Sequence, residues 1–364
     1  MLGTRLALPL GVDQQTSHAA WEREREALLG RRISEIGLTI HGSRIERLVD
    51  ELYAELASKG IAFRPPVYLS DQWGCPDGTP LIGVPFYLVD QNLERIEAEM
   101  SAGVEDDTES MRYLRHECGH AVNYAFRLYE RADWERTFGE FSRPYRERYR
   151  ADPFSREYVR HILGWYAQKH PDEDFAETFA VWLTPDLDWR RAYEGWPARR
   201  KLEYVDEVMT AIRTLEPELP ALTPEDLPVD AMTYTVAEHY AGDDERLPIE
   251  DARQFDTDLR RIFSGAHEAP RSEPARQFLS RHEREIVGRI SYWTAEAPAV
   301  VRSLLRHLAA RAEVLGLRVA GLEASTLIEL TAFGTAVVMN YRYTRVLGRG
   351  RRARTDDVPI RSEA

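Results

Sequence analysis

The chain is short of cysteine: only Cys75 and Cys118 in 364 residues. Two cysteines build neither a disulfide framework nor a four-cysteine zinc ribbon, and they fit a reducing compartment. Long apolar runs are also lacking. The most apolar segment, LTAFGTAVVM at 330–339, has ten residues between Glu329 and Asn340. A membrane span needs about 20, so a buried core helix is expected there and no membrane contact. The opening MLGTRLALPLGVDQQ has a short apolar run broken by proline, without a signal-peptide core, and a cytoplasmic location is expected. Positive charge is in deficit: the net charge of −13 argues against a general nucleic-acid binder. Most of that deficit is local, because residues 216–258 carry thirteen Asp and Glu against two Arg, among several prolines. This stretch reads as a solvated connection between domains rather than an acidic binding site. No internal repeat and no low-complexity tract is present.

What is there suffices for a sizeable core: 43% of the residues are apolar, and the length favours two domains. SRIERLVDELYAELASKG is a helix, with Ser43 and Glu46 as a capping box, a stripe of Ile45, Leu48, Val49, Leu52 and Leu56, and Gly60 as its stop. PPVYLSDQWGCPDGTPLIGVPFYLVD, with its Pro-Asp-Gly turn, reads as strands and fits a hairpin. Helices dominate from Gln91 to Leu215 and again over 250–346, where Phe278, Leu279, His282, Ile286, Ile290 and Trp293 keep helical spacing, as do Val300, Val301, Leu304, Leu305 and Leu308. Arg342–Arg354 holds six arginines and no acid, and reads as a flexible basic tail. The expected fold is α+β and mostly helical, with a small β-sheet. Its divisions are 1–62 (helical) and 63–215 (core) within an N-terminal domain of 1–215, then an acidic connection at 216–249. A helical C-terminal domain at 250–347 and the tail at 348–364 follow.

The segment MRYLRHECGHAVNYAFRLYE, 111–130, contains HECGH. On a helix, residues four apart share a face, so His116 and His120 can reach one metal ion while Glu117 sits one step round. Zinc brings the pKa of a bound water down to about 7, and a glutamate so placed can take its proton as it attacks a carbonyl. Leu114, Cys118, Ala121, Val122 and Ala125 give the helix a buried stripe. In contrast, SRHEREI has Ile286 where the second histidine would stand, and His282 and Glu283 read as ordinary helix.

A zinc hydrolase needs a third ligand and an open fourth position. A third histidine six residues on is excluded by Phe126. Cys75, in WGCPDG, is a rival at a deformylase-like separation, without the other motifs of the deformylases. An acid on a later helix fits best, in GWYAQKHPDEDFAETFAVWL at 164–183. Pro171 opens this helix, Asp172, Glu173 and Asp174 fill its first turn, and Ala176, Phe179, Ala180 and Leu183 form its stripe. Glu173 and Glu177 face the same way, which suits a ligand plus an acid orienting His116 or His120 through the ring's other nitrogen. Tyr166, just ahead, is either an oxyanion donor or a buried structural tyrosine. His161 and His170 read as structural or capping residues.

Together these motifs resemble the gluzincins. Within them they resemble a family of bacterial zinc-binding metallopeptidases that pairs a RHExGH helix with an HPxEDFAETWA helix, here Arg115–His120 and His170–Ala180. The spacing of Tyr166, Glu173 and Glu177 is also similar to the anthrax lethal-factor type of site. The resemblance covers about residues 60–215. It implies a zincin-like core with one catalytic zinc, His116, His120 and Glu173 as ligands and Glu117 as base. Tyr166 would assist the oxyanion, Glu177 would support a histidine, and a peptide or protein would be the substrate. It further implies that substrate lies along an edge strand, for which 79–90 is the candidate. Departures are the missing cysteine ribbon, Phe179 in place of a tryptophan and Val181 in place of a histidine. Residues 230–364 resemble nothing nameable. A rival function is a non-catalytic zinc-stabilised module that binds a protein partner through its helical C-terminal domain.

Overall fold

The computed structural model describes residues 12–100, 103–145, 151–217, 228–241, 249, 251, 253–265, 272–294, 296 and 298–344. Most of the basic tail and part of the acidic connection lie outside the described residues. The chain divides into two compact units, Met1–Asp244 and Glu245–Ala364. The fold is mostly helical with very small sheets, as expected.

The first unit comprises α1 (Val12–Leu29), α2 (Arg44–Ser58), β1 (Val67–Ser70), β2 (Ile82–Pro85), α3 (Gln91–Met100), α4 (Asp107–Ala125), α5 (Ala132–Phe138), α6 (Pro171–Leu183), α7 (Trp189–Ala192), α8 (Arg199–Ile212) and α9 (Val236–Tyr240). In α2 the predicted stripe is buried throughout. Ser43 caps the backbone N–H groups of Ile45 and Glu46, but Glu46 reaches back to the N–H of Gly42 rather than of Ser43, so only half of the expected box forms. Gly60, at φ 78°, closes the helix in the left-handed region.

The expected hairpin is not formed: β1 and β2 run parallel, with Val67 opposite Ile82 and Ser70 opposite Pro85. Residues 71–81 carry the chain back to the start of the pair. The outer side of β2 is met by Gly74, which exchanges both backbone hydrogen bonds with Gly83 (2.7 and 3.3 Å). Phe86–Val89 then turn into a 3₁₀ helix. The candidate substrate edge at 79–90 is therefore already occupied at Gly83 by the chain itself.

Helix α4 starts at a full capping box made by Asp106 and Glu109. Its apolar face is fully buried, as the stripe predicts: Leu114, Cys118, Ala121, Val122 and Ala125 have no exposed surface. On another side Arg115 forms a two-pronged ion pair with Glu55 of α2 (2.8 and 2.5 Å), both side chains being largely buried. Helix α6 is more deeply set than one stripe implies, because all thirteen of its residues are buried. Its Phe175 and Phe179 join Trp134 and Phe138 of α5 in an aromatic cluster. Each such fully buried large side chain contributes about 1.5–3 kcal/mol.

Residues 228–241 of the acidic stretch are packed rather than solvated. Val229, Met232, Val236 and Tyr240 enter the first unit's core, and the backbone pairs with Ile33, Ser34 and Arg31. The second unit holds α10 (Asp256–Ile262), β3 (Ser264–Gly265), α11 (Ala275–Arg281), α12 (Glu283–Thr294), α13 (Pro298–Val314), β4 (Leu317–Arg318) and α14 (Glu323–Thr344). The antiparallel β3–β4 pair was not anticipated. The stripe from Phe278 to Trp293 is broken at His282 between two helices, and Trp293 is exposed. The Val300–Leu308 stripe is buried as predicted. In α14 one face alone is inside. Leu330, Gly334, Val337 and Val338 are buried, whereas Ile328 is exposed, and a Cβ on Gly334 would come 2.6 Å from Ile290. Among the described residues no helix is long and apolar enough to cross a membrane.

Candidate metal centre

The two helices that carry the motifs, α4 and α6, lie directly against each other, and Gly119 is the reason they can. A Cβ built there would lie 2.8 Å from Ala176 Cα and 3.0 Å from its carbonyl oxygen. With backbone touching backbone, the short His and Glu side chains of the two helices meet. His116 Nε2 lies 3.0 Å and His120 Nε2 3.2 Å from the same oxygen, Glu173 Oε2, and the two ring nitrogens are 3.1 Å apart. All three residues are buried.

The far edges of both rings face carboxylates of the same helix. His116 Nδ1–H donates to Glu177 Oε1 at 2.9 Å. Glu177 Oε2 is itself held by the backbone N–H groups of His161 (3.2 Å) and Ile162 (2.9 Å). His120 Nδ1 lies 3.0 Å from Asp172 Oδ2, an ion-pair contact whose angle falls outside hydrogen-bond geometry. Asp172 is fixed by Asn123 Nδ2 (2.7 Å) and the Tyr124 hydroxyl (2.6 Å), both one turn beyond His120 on α4.

Turning Nδ1 toward a carboxylate leaves Nε2 as the lone-pair side of each ring. Two such nitrogens and a carboxylate oxygen then converge with no donor among them, an arrangement only a cation can hold together. A proton can be that cation. Burial alone would push both histidines down, but Glu173 and Glu177 lift His116 to about 9, and Asp172 and Glu173 raise His120 well above its ordinary value. Burial would raise Glu173, yet the two histidines hold it well below the usual carboxylate range. A metal ion satisfies the same three atoms without protons, and two His nitrogens with one carboxylate oxygen are a zinc donor set. The residues therefore fit the metal.

Glu117, the next residue on α4, is buried, and its carboxylate makes no hydrogen bond or ion pair among the described residues. Burial raises its pKa, and the nearby Glu173 and Asp172 add to this against the two histidines. Its carboxylate is thus tuned toward accepting and releasing a proton nearer neutrality. Tyr166 follows a left-handed step at Trp165 (φ 61°) that turns it toward α4. Its ring centre is 5.5 Å from that of His116, and its hydroxyl is 3.3 Å from the Tyr145 hydroxyl and 3.4 Å from Lys169 Nζ.

Cys75 is outside the His–His–Glu cluster: its thiol donates to the carbonyl of Thr79 at 3.2 Å, and burial pushes it up. His161 accepts no metal role either, since its Nε2 meets the Arg112 carbonyl at 2.9 Å. His170 caps α6, with Nδ1 accepting from the Asp172 N–H.

Three members of the site were missed in the sequence: Asp172, Tyr124 and Tyr145. Tyr124 stands four residues after His120 and so on its face, a signal that was available. Asp172 was read only as a first-turn acid. Tyr145 donates a short hydrogen bond to Glu173 Oε1 from an irregular segment, with no periodic pattern to betray it.

The arrangement is a buried His–His–Glu cluster able to hold a metal ion, with the Glu117 carboxylate next to it in sequence. In agreement, residues 96–190, which contain both α4 and α6, match the model of a family described as "Putative zinc-binding metallo-peptidase". This bears out the resemblance over a shorter span than 60–215. No curated protein and no solved structure matches the chain.

Proposed function

We propose that the chain is a gluzincin-type zinc metallopeptidase that hydrolyses a peptide bond in a peptide or protein substrate. The observation that carries this reading is the convergence of His116 Nε2, His120 Nε2 and Glu173 Oε2 within 3.0–3.2 Å of one another, with Glu117 beside them and otherwise unengaged. A structural zinc site is normally closed by a fourth protein ligand and has no use for a base. Here three residues make up the cluster, and Glu117 is not among them.

Zinc, when bound, supplies Lewis-acid polarisation of the scissile carbonyl and acidifies water. The chain's own residues do the rest. Glu177 holds His116 in one tautomer through its hydrogen bond, and Asp172 faces His120 Nδ1 as a charge partner that favours the same orientation. Glu117 takes the proton of the attacking water on its carboxylate and returns it to the leaving amine, as its raised pKa suits. Tyr166 donates its hydroxyl proton to the developing oxyanion, and the ammonium of Lys169, 3.4 Å away, favours that donation.

Zinc content and peptide turnover, measured on wild type, Glu117→Gln, Glu173→Ala and Cys75→Ser, test this reading. Wild type should carry about one zinc per chain, and so should Glu117→Gln and Cys75→Ser. Glu173→Ala should lose it. Turnover should vanish in Glu117→Gln while metal stays. Retention of zinc in Glu173→Ala with loss in Cys75→Ser would move the third ligand to the cysteine. Full biological activity in Glu117→Gln would instead favour a zinc-stabilised binding module.

A further inference from the structure

We infer that Tyr145 is a positioning residue for the metal ligand Glu173, and that His170 is the tether that places it. The inference rests on the reading of His116, His120 and Glu173 as ligands. Glu173 uses its two oxygens for different purposes: Oε2 faces both histidine nitrogens, whereas Oε1 receives the Tyr145 hydroxyl. A carboxylate whose second oxygen is engaged in this way offers one donor atom. Three protein donor atoms in all leave the fourth position open, which is the requirement of a hydrolytic rather than a structural zinc site.

Tyr145 is partly exposed and sits in no helix or strand, so something must hold it in place. Three contacts do so. Its ring centre lies 5.4 Å from that of His170. Lys169 Nζ stands 4.4 Å over its face. The backbone two residues earlier is tied directly, since His170 Nε2–H donates to the Arg143 carbonyl at 2.7 Å. Because His170 Nδ1 accepts from the Asp172 N–H, the ring's two nitrogens join the start of α6 to the segment bearing Tyr145. The histidine ahead of the proline in HPDED thus serves two purposes: it caps the ligand helix, and it brings a tyrosine from 28 residues upstream onto the ligand. Tyr145 also meets Tyr166 (3.3 Å between hydroxyls), so the two phenols are placed together.

The test is zinc affinity, by competition with a chromophoric chelator, and the visible absorption of the cobalt-substituted protein. Both are measured for wild type, Tyr145→Phe, Tyr166→Phe and His170→Asn. Asparagine keeps the N-cap but has no group in place of Nε2–H. Tyr145→Phe should weaken zinc by about 10-fold or more, the usual cost of losing a group behind a ligand. It should also reduce the cobalt absorption, as Glu173 becomes free to bring in both oxygens and raise the coordination number. His170→Asn should shift both readouts in the same direction by less, and Tyr166→Phe should leave affinity unchanged. Wild-type affinity and spectrum in Tyr145→Phe would overturn the inference while leaving the ligand assignment standing. Failure of wild type itself to bind zinc would overturn both.

Discussion

Gly119 lies against Ala176 so closely that the backbone of one helix rests on the backbone of the other, with 2.8 Å between the position of a Cβ on Gly119 and Ala176 Cα. Phe179 Cβ would be 3.2 Å from that added Cβ, so the methyl would meet both backbone and a packed aromatic residue. On helix propensity alone, Gly119→Ala should stabilise α4 by about 1 kcal/mol. Overpacking at this contact opposes it with about 1–3 kcal/mol. The net change is expected to be destabilising, read as a lower urea midpoint. Because the displaced helices carry His116, His120 and Glu173, zinc affinity should fall as well. A gain in stability would show that the helices can part cheaply.

Asp172 and Glu177 hold the two histidines from behind, but by different means, and their amides should behave differently. Asp172→Asn keeps an acceptor for Tyr124 while losing the charge beside His120 Nδ1. A drop in zinc affinity of about 10–100-fold is expected, with a loss of metal-free stability confined to pH values at which His120 is charged, since Asp172 raises that ring's pKa. Glu177→Gln can also turn an N–H₂ toward the N–H groups of His161 and Ile162, which now share one carboxylate oxygen. It should lose both affinity and metal-free stability. Parallel zinc titration and urea unfolding of the two variants separate the effects.

The proposed metal ligands were legible in the sequence because helical spacing fixes which residues share a face. HECGH put His116 and His120 together, and the downstream Glu173 was found by asking what could complete them. The role of Asp172 was hidden by its position, since an acid in a helix's first turn is already explained by the dipole. Tyr145 was hidden for a different reason: its contact with Glu173 depends on a loop path that no periodicity encodes. The β1–β2 pair was misread because Pro-Asp-Gly is a strong local turn signal, while strand direction is set by how the chain returns around Gly74. Trp293 continued a helical stripe in sequence, but the break at His282 between α11 and α12 and its 53% exposure show that the stripe ended sooner. Periodicity cannot see a turn made without proline or glycine.

His161 gives the metal-free protein a pH dependence of definite sign. Burial, only partly opposed by Glu177, lowers its pKa from 6.5 to about 4. Above pH 6.5 the ring is neutral folded and unfolded, so it contributes no slope. Between 6.5 and 4 the unfolded chain binds a proton that the folded one refuses, and stability falls as the pH is lowered, by up to about 1.4 kcal/mol per unit. In His161→Gln this component is absent. The difference in urea-unfolding free energy between wild type and variant should therefore be flat above pH 6.5 and should move against wild type below it. An unchanged difference down to pH 4.5 would mean that the ring protonates in place.

Arg115 precedes the first metal-site histidine, yet its side chain turns away to Glu55. The pair is largely buried, with 12% and 7% of the two side chains exposed, and it fixes α4 to α2 just behind the site. Removing one partner leaves a buried charge alone, at a cost of about 3–5 kcal/mol. Arg115→Met is expected to cost that much in urea unfolding. Arg115→Lys should cost part of it, because one ammonium cannot reproduce the two-pronged contact. Replacing both partners, Arg115→Met with Glu55→Leu, removes the stranded charge and should recover most of the loss. Recovery of stability without recovery of zinc affinity in that double variant would show that the pair serves to orient α4, and through it His116, more than to hold the fold together.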